Sequence, residues 1–271
     1  VSFDAAKVPG TGYEAAQIET FIDEGKQAAD AALAPASALL DDSPARKIAG
    51  ELRDRYDESI RMYRDIVEQR QKFEADTLTR PEVLQERWAE ISTDYETRAK
   101  AIHGDVWRLR DELTAALQQE ALPVSTDSPS IQVARDEILL AVRTAKKRNQ
   151  QPFQAMAEAA SRGGNLAAVA ASEWGRMTLQ EAAGSDTGFE HVRTTAIRTS
   201  LTGDDERRRR AAAALQAATS PRPGGRGEAS YEASMLNTFV MGVGEKAAKS
   251  AISPHRTWRS DGEDPHTRAA G

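Results

Sequence analysis

The sequence encodes an all-α protein, and three observations lead there. No stretch of any length alternates apolar and polar residues with the period of two that a half-buried strand requires. Trp88, Ile91, Tyr95, Ala99, Ile102, Val106, Leu109, Leu113 and Leu117 recur at spacings of three and four, a mean of about 3.6 that is the period of a straight helix. Alanine, which enters a helix at almost no entropic cost, occurs 47 times, against 46 Leu, Ile, Val and Phe combined. That apolar share, about 17%, falls below the ~20% of an ordinary packed core. Composition therefore predicts long, thin, solvent-washed helices in preference to a compact globule. The expected architecture is a long antiparallel helical hairpin, then a smaller bundle of short helices, with flexible termini.

Taken in chain order, residues 1–43 form an N-terminal helical arm. A helix over about 13–40 carries the weak stripe Ile18, Phe21, Ile22, Ala29 and Leu33. Gly25 and Pro35 argue against one continuous rod there. Residues 44–122 form the hairpin. Ser43-Pro44 supplies an N-cap and a first-turn proline, and Ile48, Leu52, Tyr56, Ile60, Tyr63 and Val67 continue the stripe to about residue 78. Thr79-Arg80-Pro81-Glu82 reads as a capping box with Thr79 as N-cap. The second arm runs to Pro123. Because its period is 3.6 and not 3.5, the two arms are expected to pair as nearly straight helices, each roughly 55–60 Å long.

Residues 123–219 form the bundle. Ser128-Pro129 opens a helix carrying Ile131, Ala134, Ile138, Leu139 and Val142, and Pro152 opens the next. Asn165 is the expected cap of a single helix over 166–183. Thr187-Gly188-Phe189-Glu190 is a second capping box, and Asp204 is the expected cap of the helix over 207–218. Residues 220–271 hold a Gly/Pro linker from Ser220 to Gly227, an apolar helix over about 230–252, and a polar tail expected to be disordered.

Several chemistries are excluded at this stage. With no cysteine there is no thiolate metal site, disulfide or cysteine nucleophile. His103, His191, His255 and His266 make no i,i+4 pair, so a helix-borne two-histidine zinc motif is absent. No apolar run nears the ~18 residues that span a bilayer, and Val1-Ser2-Phe3-Asp4 lacks the basic and apolar regions of a secretory leader. Gly163-Gly164 lacks the preceding strand and the Lys-Ser/Thr ending of a phosphate loop. No catalytic residue, cofactor or metal ligand is assigned.

Two kinds of surface remain. Arg207, Arg208, Arg209 and Arg210, with Lys146, Lys147 and Arg148, are the candidate phosphate-binding residues. Four consecutive arginines point around most of a helix, however, and Asp204, Asp205 and Glu206 stand one turn away as ion-pair partners. Met235, Leu236, Phe239, Val240 and Met241 form a candidate partner-docking face, the other reading being that this helix folds back on the body. Trp88, Tyr95, Trp107, Tyr56 and Tyr63 fit a core better than a stacking platform, with Trp107 at its margin.

Residues 1–122 carry a net charge of −9 and residues 123–271 a net charge of +3. In type, this acidic, cysteine-free helical chain with a separate C-terminal helix resembles phage scaffolding and head–tail accessory proteins. The expected function is a non-enzymatic scaffold or adaptor, cytoplasmic or part of a virion, whose partners are other proteins and copies of itself. The alternative is a nucleic-acid-binding accessory protein of a mobile element that uses the basic C-terminal half.

Overall fold

The computed structural model describes residues 8, 12–76, 78–125, 127–219 and 229–252. The described residues form ten helices and no strand, which makes the protein all-α. They are α1 (Ala15–Ser37), α2 (Pro44–Ala75), α3 (Pro81–Ala121), α4 (Ser128–Lys147), α5 (Pro152–Ala160), α6 (Gly164–Ala170), α7 (Glu173–Ala183), α8 (Phe189–Thr202), α9 (Glu206–Thr219) and α10 (Ala229–Lys249). The chain falls into two compact units. The first draws its described residues from 8–23, 56–104 and 236–252, and the second from 24–55 and 105–235.

In the first unit, the core positions of α3 are those with the helical period. Leu84, Trp88, Tyr95, Ala99 and Ile102 are buried, and only Ile91 of the expected stripe stays partly open. From α2 the buried side chains are Tyr56, Ser59, Ile60, Met62, Tyr63, Ile66 and Arg70, a wider face than six evenly spaced residues suggest. The Phe73 and Trp88 rings meet at 5.5 Å. From α1, Ile18 and Ile22 are buried, whereas Phe21 is exposed and lies against Phe239 at 4.6 Å. The loop before α3 differs from the expected capping box. The helix begins at Pro81, and Asp76 closes the turn by accepting hydrogen bonds from Leu78 N (2.9 Å) and Thr79 N (3.0 Å).

In the second unit, Val106, Leu109, Leu113, Leu117 and Ala121 of α3 are buried, with Ala45, Ala49 and Leu52 of α2. Ser43 caps α2 as expected, its Oγ accepting from Arg46 N at 3.2 Å. The short helices pack in a connected set: α4 against α5, α6 and α7, α5 against α6, α7 and α8, and α8 against α6 and α9. Alanine is what lets them approach. Ala157, Ala159, Ala160, Ala167, Ala168, Ala170, Ala196, Ala211, Ala212 and Ala214 are all buried. The low count of large side chains is met in these short helices by close packing of small ones.

Four further expectations are corrected. Pro35 lies inside α1 without breaking it: it stands in the last turn, and its missing N–H leaves only the carbonyl of Ala31, one turn earlier, without its helical donor. The single helix over 166–183 is two helices. Ser172 interrupts it and caps α7, its Oγ accepting from Gly175 N at 3.4 Å. Gly175 is needed there, since a Cβ would stand 2.1 Å from Ala170 O. The cap of α8 is Gly188, at φ +93°, and not Thr187. A side chain at Gly188 would also strike the Phe153 ring at 2.5 Å. The cap of α9 is Asp205, not Asp204, its Oδ1 accepting from Arg208 N at 3.2 Å. The Gly/Pro linker and the polar tail from Ser253 lie outside the described residues.

Candidate functional site

A cleft in the second unit encloses about 600 Å³. Its floor is Ala171 and Gln118, whose Nε2 donates to Ala171 O at 3.1 Å. Glu173 and Arg176 from α7 and Glu190 and Arg193 from α8 form the rim, with Asp186 and Thr187 between them. Arg176 grips Glu173 by two hydrogen bonds (2.5 and 2.9 Å) and reaches Asp186 at 3.2 Å. Arg193 lies 3.4 Å from Glu190. The hydrogen bond to Arg176 holds the Glu173 carboxyl below the usual carboxylate range, and the same bond raises the guanidinium above its ordinary value. An acid or base that moves protons at neutral pH needs a pKa near 7. Both shifts run the other way and fix each group in its charged form, so the rim is a set of ion pairs.

The basic clusters sit on separate helices. Arg207 reaches Asp42 at 3.2 Å, Arg208 reaches Asp205 at 3.1 Å, and Arg210 pairs with Glu206. Three of the four arginines thus have a carboxylate of this chain beside them. Arg207 also lies 3.9 Å from Glu120 Oε2, while Glu120 Oε1 accepts from Ser43 Oγ (2.7 Å) and Ala45 N (3.3 Å). Lys146, Lys147 and Arg148 are exposed at the C-terminal turn of α4, where cations complement the helix dipole. Since α9 packs on α8, and α4 on α5, α6 and α7, the two clusters do not lie on neighbouring helices.

The candidate docking face of α10 is mostly internal. Leu236, Val240 and Met241 are buried and the Phe239 ring lies tilted against Phe21, while Met235 is exposed. In the chain as it stands these residues lie against its own body, which is the second of the two readings given for them. Tyr56, Tyr63, Trp88 and Tyr95 are core residues. Trp107 stands at the margin, its ring 5.9 Å from Tyr231, with the Arg110 guanidinium 5.2 Å from the Trp107 centroid and 5.4 Å from the Tyr231 centroid.

Two features escaped a reading by pattern. Arg70 continues the Tyr63–Val67 stripe by position yet is buried, and its charge hides it from an apolar count. Asn237, the polar residue at the centre of the apolar window of α10, is also buried. Its departure from the surrounding pattern was the available signal.

Among the described residues no group of three or more His, Asp or Glu could hold a metal ion. No described helix is long and apolar enough to cross a membrane. No family model matches the chain, and no curated protein or solved structure is detectably similar to it.

Proposed function

We propose that the protein is a non-enzymatic structural or assembly protein, a helical scaffold or adaptor that works by pairing its helices with other proteins, copies of itself first. A phage virion component is one setting in which such a protein acts. The observation that supports this reading best is the outer face of α4. Val133 and Leu140 are 65% and 66% exposed. They stand seven residues apart, two turns along one face, while Ala134, Ile138, Val142 and Ala145 are buried on the other. Fully burying such a side chain is worth about 1.5–3 kcal/mol, and heptad spacing presents both to one partner helix. Exposed Asp136 and Arg143 supply a polar margin.

Light scattering combined with small-angle scattering on the full chain tests this. The expected mass is a multiple of 29.5 kDa, reduced to one copy by Val133→Asp with Leu140→Asp at unchanged helicity. A single copy at every concentration would count against self-association.

Nucleic-acid binding is the second reading, favoured by the exposed Lys146, Lys147 and Arg148. It requires binding to duplex DNA that weakens steeply as salt rises. The ion pairs at Arg207, Arg208 and Arg210 argue against it, because those charges already have partners.

A further inference from the structure

The end of α10 is held differently from the rest of it. Arg70 Nη1 donates to Ala247 O (2.6 Å) and Ser250 O (2.8 Å), and its Nη2 donates to Ala251 O (2.7 Å). Trp88 Nε1 donates to Ala248 O at 2.8 Å. Glu74 orients the guanidinium by accepting from Arg70 Nε at 2.9 Å, and the Trp88 ring lies under it at 5.7 Å. The last carbonyls of a helix have no partner within it, and here a buried cation and an indole take them. The clamp is strong, directional and confined to residues 247–251.

Further along the same helix the seat is poorly matched. Both amide atoms of Asn237 are buried without a hydrogen-bond partner, and so is the Tyr95 hydroxyl. Burial pushes that phenol up, away from ionisation. The hydroxyl lies so close to α10 that a Cβ at Gly244 would meet it at 1.8 Å. Each such atom would be hydrogen-bonded by water if α10 were out of its seat, so each favours the undocked state. Its buried apolar side chains hold the helix without direction, three orphaned polar atoms oppose them, and the directional anchor is at one end, so the helix is built to loosen when that end lets go.

We propose that α10 is a releasable strap, and that Arg70 is its latch. Opening breaks the clamp, hydrates Asn237 and Tyr95, and uncovers Leu236, Val240 and Met241. The inference does not depend on whether the α4 face carries a partner.

Hydrogen exchange on the full chain, read by mass spectrometry, tests it. Peptides covering 236–252 should exchange at least tenfold faster than peptides from the buried stripe of α3. Arg70→Lys keeps the charge but cannot present three donors in a fan, so it should speed exchange of 236–252 about tenfold further and leave α4–α9 unchanged. Asn237→Leu, which keeps the branching of the side chain and removes both orphaned atoms, should slow the same peptides. The proposal is overturned if α10 and α3 exchange at one common rate in the unaltered protein. It is equally overturned if the two variants shift every helix together, or if Asn237→Leu leaves 236–252 unprotected as before.

Discussion

Tyr63 shows how one buried side chain makes a fold sensitive to pH. Burial, first, and the Glu19 carboxylate, second, push its phenol up to about 12, and Tyr95 shifts in the same direction. Unfolded tyrosine titrates near ~10. A raised folded pKa means that the contribution to stability is complete below ~10 and is lost as pH rises through the folded value. The helical signal should therefore fall between about pH 10 and 12, together with the rise of tyrosinate absorbance. Tyr63→Phe should move that alkaline limb upward, and an unchanged limb would show that Tyr63 does not control it. Single polar residues were the least legible part of the sequence. Asp76 closes the turn before α3 through the amides of Leu78 and Thr79, where Thr79 was the expected cap, and Asp205 in place of Asp204 takes the amide of Arg208, because several neighbouring side chains can close such a turn and local spacing does not choose among them. Ser43 was legible because the proline after it leaves one position for a cap.

Helices were legible where their stripe is long. The positions of α3 from Trp88 to Leu117 follow directly from the spacing, and all but Ile91 are buried, because burial on one face is what maintains a 3.6 period. Leu109→Asp should therefore cost about 3–5 kcal/mol, combining a lost core side chain with an unpaired buried carboxylate. A thermal melt followed by circular dichroism would show it, and a loss below 1 kcal/mol would mean that the stripe is not the support of α3. The break between α6 and α7 was not legible. Ser172 makes the break and caps α7, and the turn it makes brings Gly175 against Ala170 O, which no periodic signal displays. Gly175→Ala brings a methyl against backbone that cannot rotate away, and should cost about 1–3 kcal/mol, measured as a lowered denaturant midpoint. A neutral result would show that the two helices can part without loss. The apolar window of α10 was legible as a helix, but whether it faces the chain or a partner depended on a seat assembled from α1, α2 and α3, which no local pattern displays.

Composition bears on how copies of the chain would associate if the proposed function holds. Alanine fills the cores of α5, α6 and α9, so large apolar residues left outside, Val133 and Leu140 among them, stand out on the surface. Two mechanisms of association follow from the sequence and make opposite demands on salt. Attraction between the acidic residues 1–122, net −9, and the basic residues 123–271, net +3, acts between exposed charges and is screened as the Debye length shrinks from ~10 Å at 0.1 M toward ~3 Å at 1 M. Contact through the apolar face of α4 is not screened, and excluded salts strengthen it. The surface arginines Arg176, Arg208 and Arg210 already have carboxylates of their own chain beside them, which leaves less uncompensated charge for contact between copies. Association should therefore persist, or tighten, when sodium sulfate is raised from ~50 to ~500 mM in a sedimentation experiment. Dissociation over that range would transfer the contact from α4 to the charged halves of the chain, and Val133→Asp with Leu140→Asp would then leave the mass unchanged.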